Sequence, residues 1–423
     1  MGARSPATGP SADADAPALT AKTAIAYSAG SVGAGAFFAF NNFVLPQLLK
    51  AAGAGDLLTG LLSSTRSIEG VVIQPVVGVL SDRTRTRLGR RRPFIVGAIP
   101  LSAACFLLAA GQPGVAGLAI GIVLFSIFFN IAADPYVALL ADITRADDRS
   151  LLSGISTGVQ LISQVGFLLA VSFAAGSGGG IPEWSYGAVA GLLVFTFGLT
   201  VVGVHEPGGQ PVSGGRTTRA DWRSGLRSVT AHRSALRYLA AIFAFMVGFS
   251  AVLPYLTLFI VTDIHQTEQT ALILAAATLV VTAVSAVAAG RLAGRTGPKP
   301  LLVAGWLLIA FAAAGGLVIR ELPETIAVIL VAGIGNGAAT AVGWPILVTL
   351  IPASATGTFA GLKAAAESIA IPASVLIAAE VFLPRFSYRG VFALLAVAIV
   401  VALYILIRHV PVPHLSHPAP SES

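Results

Sequence analysis

Long runs of apolar and small residues alternate along the chain with short polar connections. A helix needs about 20 consecutive apolar residues to cross a bilayer, and twelve segments meet this requirement. They lie at 22–49, 56–80, 93–111, 116–141, 151–176, 185–204, 236–262, 269–290, 300–319, 325–351, 357–383 and 390–409. The pattern therefore predicts an all-α polytopic membrane protein with twelve transmembrane helices.

The polar connections divide the chain into five predicted regions. Six spans lie on each side of the longest connection, whose Gly, Pro, Ser and Arg content is typical of a loop. The first 21 residues are rich in Ala, Ser and Pro and lack the apolar core of a signal peptide. The regions are a disordered tail at 1–21, a six-helix bundle at 22–204, a cytoplasmic loop at 205–235, a second six-helix bundle at 236–409 and a cytoplasmic tail at 410–423.

Short markers recur in the two halves at a nearly constant offset. Val44-Leu45-Pro46 recurs as Val252-Leu253-Pro254, and Asp134-Pro135 corresponds to Trp344-Pro345. Internal repeats of this kind are common in secondary transporters. We therefore expect the two bundles to be related by pseudo-symmetry.

Composition and charge agree with a membrane protein. Hydrophobic residues make up 55% of the chain and charged residues 11%, and the mean hydropathy is +0.84. The net charge is +7, and 20 of the 26 Lys and Arg fall on the side of the membrane that holds both termini. Because positively charged loops stay in the cytoplasm, we expect a plasma- or inner-membrane protein with both termini cytoplasmic. The excess charge then reflects topology rather than nucleic-acid binding.

Ionisable residues inside spans are costly in hydrocarbon and are functional candidates. The second span carries Arg66 and Glu69, the fourth Asp134, and the eleventh Lys363 and Glu367. The sequence places no oppositely charged residue three or four positions from Asp134, and a proline follows it, so Asp134 is the preferred carrier of a coupling cation, with Glu69 as a second candidate. Arg66, Lys363 and Glu367 form a candidate charge network. The alternatives are local i, i+3 and i, i+4 neutralisation and a static pair between Asp134 and Arg66.

Amide and aromatic side chains are the candidates for binding a solute. All four asparagines lie in predicted spans, and an amide can both donate to and accept from a hydroxyl group. The candidates are Asn41, Asn42, Asn130, Asn336, Trp344 and Tyr136. Hydrogen bonding between helices is the alternative role for the asparagines, and core packing is the alternative for the aromatic residues.

Several classes of function lack the residues they need. The single cysteine, Cys105, provides neither a disulfide framework nor a thiolate metal site. Every histidine lies in a loop, a tail or at the end of a span, and no nucleophile–base pair, phosphate-binding glycine loop or metal-ligand spacing is present. We expect no enzyme activity, no metal and no cofactor.

The connection after the second span carries a more specific signal. The stretch from Gln74-Pro75 through Ser81-Asp82-Arg83 to Gly89-Arg90-Arg91-Arg92-Pro93-Phe94-Ile95 resembles the plant sucrose carriers and their relatives. Asp134-Pro135-Tyr136 is similar to the fourth helix of the glycoside-pentoside-hexuronide:cation symporters. Together with the duplication and the twelve spans, these motifs resemble the major facilitator superfamily.

The resemblance implies a fold, a mechanism and a role for the arginines. It implies two bundles that rock around a central cavity lined by helices 1, 4, 7 and 10. It also implies a cytoplasmic latch formed by Asp82, Arg83, Arg90, Arg91 and Arg92. The alternative is that these arginines only anchor a cytoplasmic turn by the positive-inside rule.

Two departures from the family patterns bear on coupling and substrate. Gln74 stands where melibiose-type sodium symporters have an acidic residue, which favours protons as the coupling ion. Ser126 stands where plant sucrose carriers have an aspartate, which weakens the assignment to sucrose itself. We expect a monomeric carrier in the lipid bilayer that takes up a sugar or glycoside with protons. The alternatives are a drug or metabolite exporter that exchanges protons and a non-transporting sensor.

Overall fold

The computed structural model of the protein is built from helices. It describes residues 19–64, 73, 76–78, 80–81, 84–112, 114–145, 148–178, 180–206, 232–351 and 356–411. In the first half, the helices are α1 (Ala21–Ala51), α2 (Asp56–Leu62), α3 (Arg92–Ala110), α4 (Val115–Ile143), α5 (Arg149–Gly178) and α6 (Trp184–Gly203).

Six further helices follow in the second half of the chain. They are α7 (Arg233–Thr262), α8 (Glu268–Thr296), α9 (Pro298–Val318), α10 (Leu322–Thr349), α11 (Thr356–Ile377, continuing through Ala378–Phe382 and Leu383–Phe386) and α12 (Gly390–His409).

Ten helical stretches among the described residues are long and apolar enough to cross a membrane. One of them, Gly361–His409, contains most of α11 and all of α12, which correspond to two predicted spans. The predicted span 56–80 is described only in part, as α2 and a few later positions. The all-helical membrane architecture is therefore confirmed, whereas the count of twelve remains a prediction over the second span.

Proline interrupts helices at corresponding places in the two halves. A π-helical segment, Phe40–Val44, lies just before Pro46 in α1. In α7 the regular helix stops at Phe249 and resumes at Val252, just before Pro254. A proline ring clashes with the carbonyl four residues earlier and lacks an N–H, so both interruptions follow from the recurring Val-Leu-Pro marker.

A tight corner separates α11 from α12. Ser387 has a φ of +54°, a strained conformation for a residue with a side chain. The carboxylate of Asp263 accepts a 2.7 Å hydrogen bond from the Ser387 hydroxyl and a 3.0 Å bond from the Arg389 amide. These two bonds offset the strain and fix the corner.

The described helices form two compact units. The first contains α1 up to Phe38, α3, α4, α5 up to Gln164, and α6. The second contains α1 from Ala39, α2, the rest of α5, and α7 to α12. The boundary between units therefore falls inside α1 and α5, and the division into bundles at 22–204 and 236–409 stays a prediction.

Aromatic side chains fill the core of the first unit. Phe37 of α1 lies with its ring centroid 4.6 Å from that of Phe125 and 4.5 Å from that of Phe129, both on α4. Phe106 of α3 packs between Phe125 and Tyr186, at 4.8 and 5.2 Å. Since ring pairs at these distances attract one another beyond simple burial, this cluster joins α1, α3, α4 and α6.

The second unit depends on a close approach between α9 and α10. A Cβ atom added to Gly305 would lie 2.7 Å from the carbonyl oxygen of Gly335, and one added to Gly335 would lie 2.5 Å from that of Gly305. Small residues at such a crossing allow helix backbones to touch in a membrane. The next residues along the two helices, Trp306 and Asn336, both line the cavity described below.

The start of α2 is tied to two helices of the second half. The carboxylate of Asp56 accepts hydrogen bonds from Lys50 at 2.9 Å and from the Tyr388 hydroxyl at 3.0 Å. The main-chain oxygen of Asp56 accepts a third bond, at 2.7 Å, from the hydroxyl of Tyr255. Asp56 therefore holds the first turn of α2 against α7 and the corner before α12.

Gly335→Ala should destabilise the protein, because its methyl group would meet the backbone of α9. Overpacking of this kind costs about 1–3 kcal/mol, and we expect a lower midpoint of thermal unfolding in detergent. Gly290→Ala in α8 is the matched control, because its methyl group meets nothing within 4 Å and alanine favours a helix over glycine. Equal unfolding midpoints for the two variants would contradict the role given to the α9–α10 contact.

Candidate functional site

The second unit contains a cavity of about 350 Å³, within the range of small-molecule sites in proteins. It is built by α7, α9, α10 and α11. Four of the residues singled out in the sequence line it, namely Asn336, Trp344, Lys363 and Glu367.

Helical periodicity brings the lining side chains onto single faces. On α10, Asn336, Thr340 and Trp344 follow one another at intervals of four residues, and on α9 Leu302 and Trp306 do the same. Residues i and i+4 lie above one another on a helix. One face of each helix therefore supplies a wall of the cavity.

A row of stacked aromatic rings forms part of the wall. The rings of Phe249 and Phe245 have centroids 5.2 Å apart, and Phe245 lies 5.1 Å from Trp306 with an angle of 13° between the planes. Trp306 is only 2% exposed, and its indole nitrogen has no hydrogen-bond partner among the residues that the structure describes. A buried donor of this kind carries an energetic cost that a bound acceptor would remove.

An ion pair lies on the α11 side of the cavity. The ammonium group of Lys363 donates to the carboxylate of Glu367 one helical turn later. The two side chains are 24% and 18% exposed, so the pair is largely withdrawn from solvent. Of the open alternatives, local i, i+4 neutralisation is the arrangement that the structure contains for these two residues.

The lining suits a neutral solute with many hydroxyl groups. The charges of Lys363 and Glu367 cancel, so the cavity has no net charge from this pair to attract an ionic ligand. The amide of Asn336 and the hydroxyl of Thr340 can each donate and accept. The face of Trp344, which is 40% exposed, adds an apolar surface.

Asn41 and Asn42 lie in the π-helical segment of α1. Asn41 is buried, and its amide nitrogen has no hydrogen-bond partner within the described part of the chain. Asn42 is half-buried. Single π-helical turns are frequent at functional sites, which keeps both residues as candidates. Neither of them lines the cavity of the second unit.

Tyr136 and Asn130 lie in the first unit and make hydrogen bonds there. The hydroxyl of Tyr136 donates to the main-chain oxygen of Tyr27 at 2.8 Å, and the two rings stack at 4.7 Å. Ser31 is 2.9 Å from that hydroxyl and 2.6 Å from the hydroxyl of Ser156. Tyr136 therefore joins α1, α4 and α5, which supports the packing alternative over direct contact with a solute.

Asn130 is buried in α4, and its amide donates to the main-chain oxygen of Ser126 at 2.9 Å. Asp134 lies one turn further along and is half-buried. The other members of the predicted coupling pair and charge network, Arg66 and Glu69, lie outside the described residues, as do Asp82 and Arg83 of the predicted latch.

Two of the remaining latch arginines, Arg90 and Arg91, take part in an ionic cluster of the first unit. Both Arg90 and Arg91 pair with the carboxylate of Asp142, and Arg91 also donates to the hydroxyl of Ser81. Glu206, whose side chain is 3% exposed, accepts from the main-chain amides of Arg90 and Arg91 at 3.0 and 3.1 Å. Because a helix N-terminus favours negative charge, Glu206 caps α3. Arg92 is the first residue of that helix and is half-buried.

Several residues of these sites were absent from the sequence prediction. Tyr238, Phe245, Trp306 and Thr340 line the cavity, and Glu206 completes the cluster. The sequence held a weak signal for Trp306, which is one of four tryptophans, and for Thr340, which lies midway between Asn336 and Trp344. Nothing local distinguishes Tyr238 or Phe245 from other core aromatics.

No group of three or more His, Cys, Asp or Glu side chains in the described ranges is placed to hold a metal ion. The cavity instead offers an ion pair, amide and hydroxyl groups, and aromatic faces. These groups can bind and orient a solute.

A family model described as MFS/sugar transport protein matches residues 26–391 of the chain. Sucrose transport protein SUC3 of Arabidopsis thaliana is 26% identical over 163 residues, which are 33% of this chain and 27% of that protein. Putative glycoside/cation symporter YagG of Escherichia coli (strain K12) is 29% identical over 133 residues, covering 30% of this chain and 29% of its own. The chain thus spans between a quarter and a third of the length of these curated relatives.

Solved structures of the same fold extend over nearly the whole molecule. The crystal structure of a D-xylose-proton symporter aligns with a TM-score of 0.69 and 16% identity, covering 92% of this chain and 98% of that one. At this identity the likeness concerns the fold alone.

Lys363→Ala should destabilise the protein by about 2 kcal/mol, because it removes the cation that faces the partly buried carboxylate of Glu367. Removing both charges with Lys363→Ala and Glu367→Ala should recover part of that loss. The unfolding midpoints of the two single variants and the double variant in detergent measure this coupling. A double variant no more stable than Lys363→Ala would show that the pair contributes nothing.

Proposed function

The chain belongs to the MFS/sugar transport protein family, and we propose that it is a secondary active transporter that carries a sugar or glycoside together with protons by alternating access. It spans the plasma or inner membrane of the cell, with both termini in the cytoplasm. It works as a monomer, and it has no enzymatic step.

The observation that carries this proposal is the cavity of the second unit. It combines an amide, a hydroxyl group, a self-neutralised ion pair and aromatic faces. Hydroxyl groups of a sugar would bond to Asn336, Thr340 and the charged pair, while the apolar face of the ring would lie on Trp344. The buried N–H of Trp306 would gain an acceptor from the same solute.

We assign proton coupling to carboxylates. Asp134 is the first candidate, because it is half-buried in α4 and a carboxylate within a span is costly unless it is paired or protonated. Glu69 is the second candidate. Binding and release of the proton at Asp134 would change the cost of moving this helix between the two states of the carrier.

We also propose that Arg90, Arg91 and Arg92 stabilise the cytoplasmic side, with Asp82 and Arg83. Asp142 and Glu206 hold Arg90 and Arg91 in place. The cluster would then keep α3 and the connection before it in one orientation while the bundles rock.

Purified protein in proteoliposomes should take up protons when the right solute is added. The panel contains D-glucose, D-galactose, D-xylose, sucrose, maltose and their methyl glycosides, and an internal pH indicator reports the proton flux. At least one sugar should acidify the interior, since a symporter moves both species in the same direction. Protons that move opposite to a labelled solute would support the exporter instead, and no response to any member would contradict sugar symport.

Asp134→Asn should abolish accumulation driven by a pH gradient, with a loss on the order of tenfold or more, because the amide cannot carry a proton. Exchange of labelled for unlabelled substrate should continue, since it needs no net proton movement. Glu183→Gln, which changes an exposed carboxyl group outside the helices, is the control. Retained uphill uptake in Asp134→Asn would remove Asp134 from the coupling mechanism.

A further inference from the structure

A second, apolar chamber adjoins the cavity of the second unit. It has a volume of about 90 Å³ and is bounded by α7, α8, α9, α10, α12 and Phe43 of α1. Phe249 and Asn336 line both spaces. The two spaces are therefore adjacent at the residue where the proposed solute site offers its amide group.

The chamber offers few groups that would bind water or a hydroxyl, namely the amide of Asn336 and the buried hydroxyl of Thr282, which has no hydrogen-bond partner within the described residues. Most of its wall consists of apolar side chains, and Phe43, Phe259 and Ile309 are deeply buried. Two of its threonines, Thr278 and Thr325, donate their hydroxyl groups to the main chain of their own helices, at 2.8 and 2.9 Å. A sugar ring would lose most of its hydrogen bonds here.

The junction between the two spaces is more polar. Asn336 lies there, and its amide can meet the oxygen atom that joins a sugar to its substituent. An apolar substituent beyond that oxygen would then enter the chamber.

We propose that the chamber is a subsite for a small apolar substituent, so that the preferred substrate is a short alkyl glycoside rather than a free sugar. This inference rests on the proposed sugar symport. A cavity of about 150 Å³ holds benzene, so a space of about 90 Å³ is too small for an aromatic ring. In proportion to the six carbons of benzene it accommodates roughly three carbon atoms, which is a propyl group.

The test uses methyl, ethyl, propyl, butyl, pentyl and phenyl glycosides of D-glucose and D-galactose, in both anomers. Their inhibition constants are measured against uptake of the labelled methyl glycoside in proteoliposomes. Each added methylene should tighten binding about fourfold, the factor expected for burying a CH₂ group at about 0.8 kcal/mol. The gain should stop near propyl, and the phenyl glycoside should bind no better than propyl.

Ala332→Leu tests where the substituent goes, because Ala332 lines the chamber but not the polar cavity. This variant should remove the dependence on chain length, so that methyl and propyl glycosides bind equally well. Ala312→Val fills the same chamber from α9 and serves if Ala332→Leu does not fold. Ala327→Leu, at an exposed position of α10, is the control and should keep the full dependence.

The outcomes separate the subsite from the function. Methyl glycosides that bind while propyl glycosides bind no better would overturn the subsite and leave sugar symport standing. A rise in affinity that persists in Ala332→Leu and Ala312→Val would place the substituent elsewhere, including in the bilayer. If no member of the series is bound, both the subsite and the proposed function are wrong.

Discussion

The contact between Gly305 and Gly335 determines where the walls of the cavity stand. Because neither residue has a side chain, α9 and α10 approach until each Cα faces the carbonyl oxygen of the other helix. The next residue on each helix, Trp306 and Asn336, then reaches the same space. Hydrocarbon gives helices little hydrophobic reason to associate, so close packing of this kind must supply much of the attraction. The stacked rings of Phe245 and Trp306 extend it to α7.

Several polar groups of the second unit are satisfied by near neighbours. Lys363 and Glu367 neutralise each other within one helical turn, and Thr278 and Thr325 of the apolar chamber bond to the main chain nearby. The groups that the cavity offers to a solute are a small set that includes Asn336, Thr340 and the N–H of Trp306. A site with few exposed polar groups distinguishes solutes by the positions of their hydroxyl groups and by the shape of their apolar part. Recognition would then depend as much on excluding solutes that do not fit as on binding those that do.

The sequence was most informative where the bilayer restricts the structures that the chain can adopt. Spans predicted at 93–111 and 236–262 correspond to Arg92–Ala110 and Arg233–Thr262, because lipid leaves the backbone no alternative to the helix. The cost of polar groups in hydrocarbon likewise pointed to Asn336 and Lys363, which the fold brings to one cavity. Roles that depend on a distant partner were not predictable. The bond between Tyr136 and Tyr27 joins residues 109 positions apart, and the position of Trp306 depends on two glycines in different helices.

The three hydrogen bonds at Asp56 have a consequence for mutagenesis. Two of them end on the side chain, but the bond from Tyr255 ends on the main-chain oxygen. A main-chain acceptor is present in every amino acid, so replacing residue 56 leaves that bond in place whatever the new side chain. A survey of substitutions at this position would therefore register only the carboxylate and would underestimate how firmly α2 is tied to α7. Only the replacement of Tyr255 by phenylalanine removes the donor of this bond, and so only that substitution measures how much the bond contributes to the contact between α2 and α7.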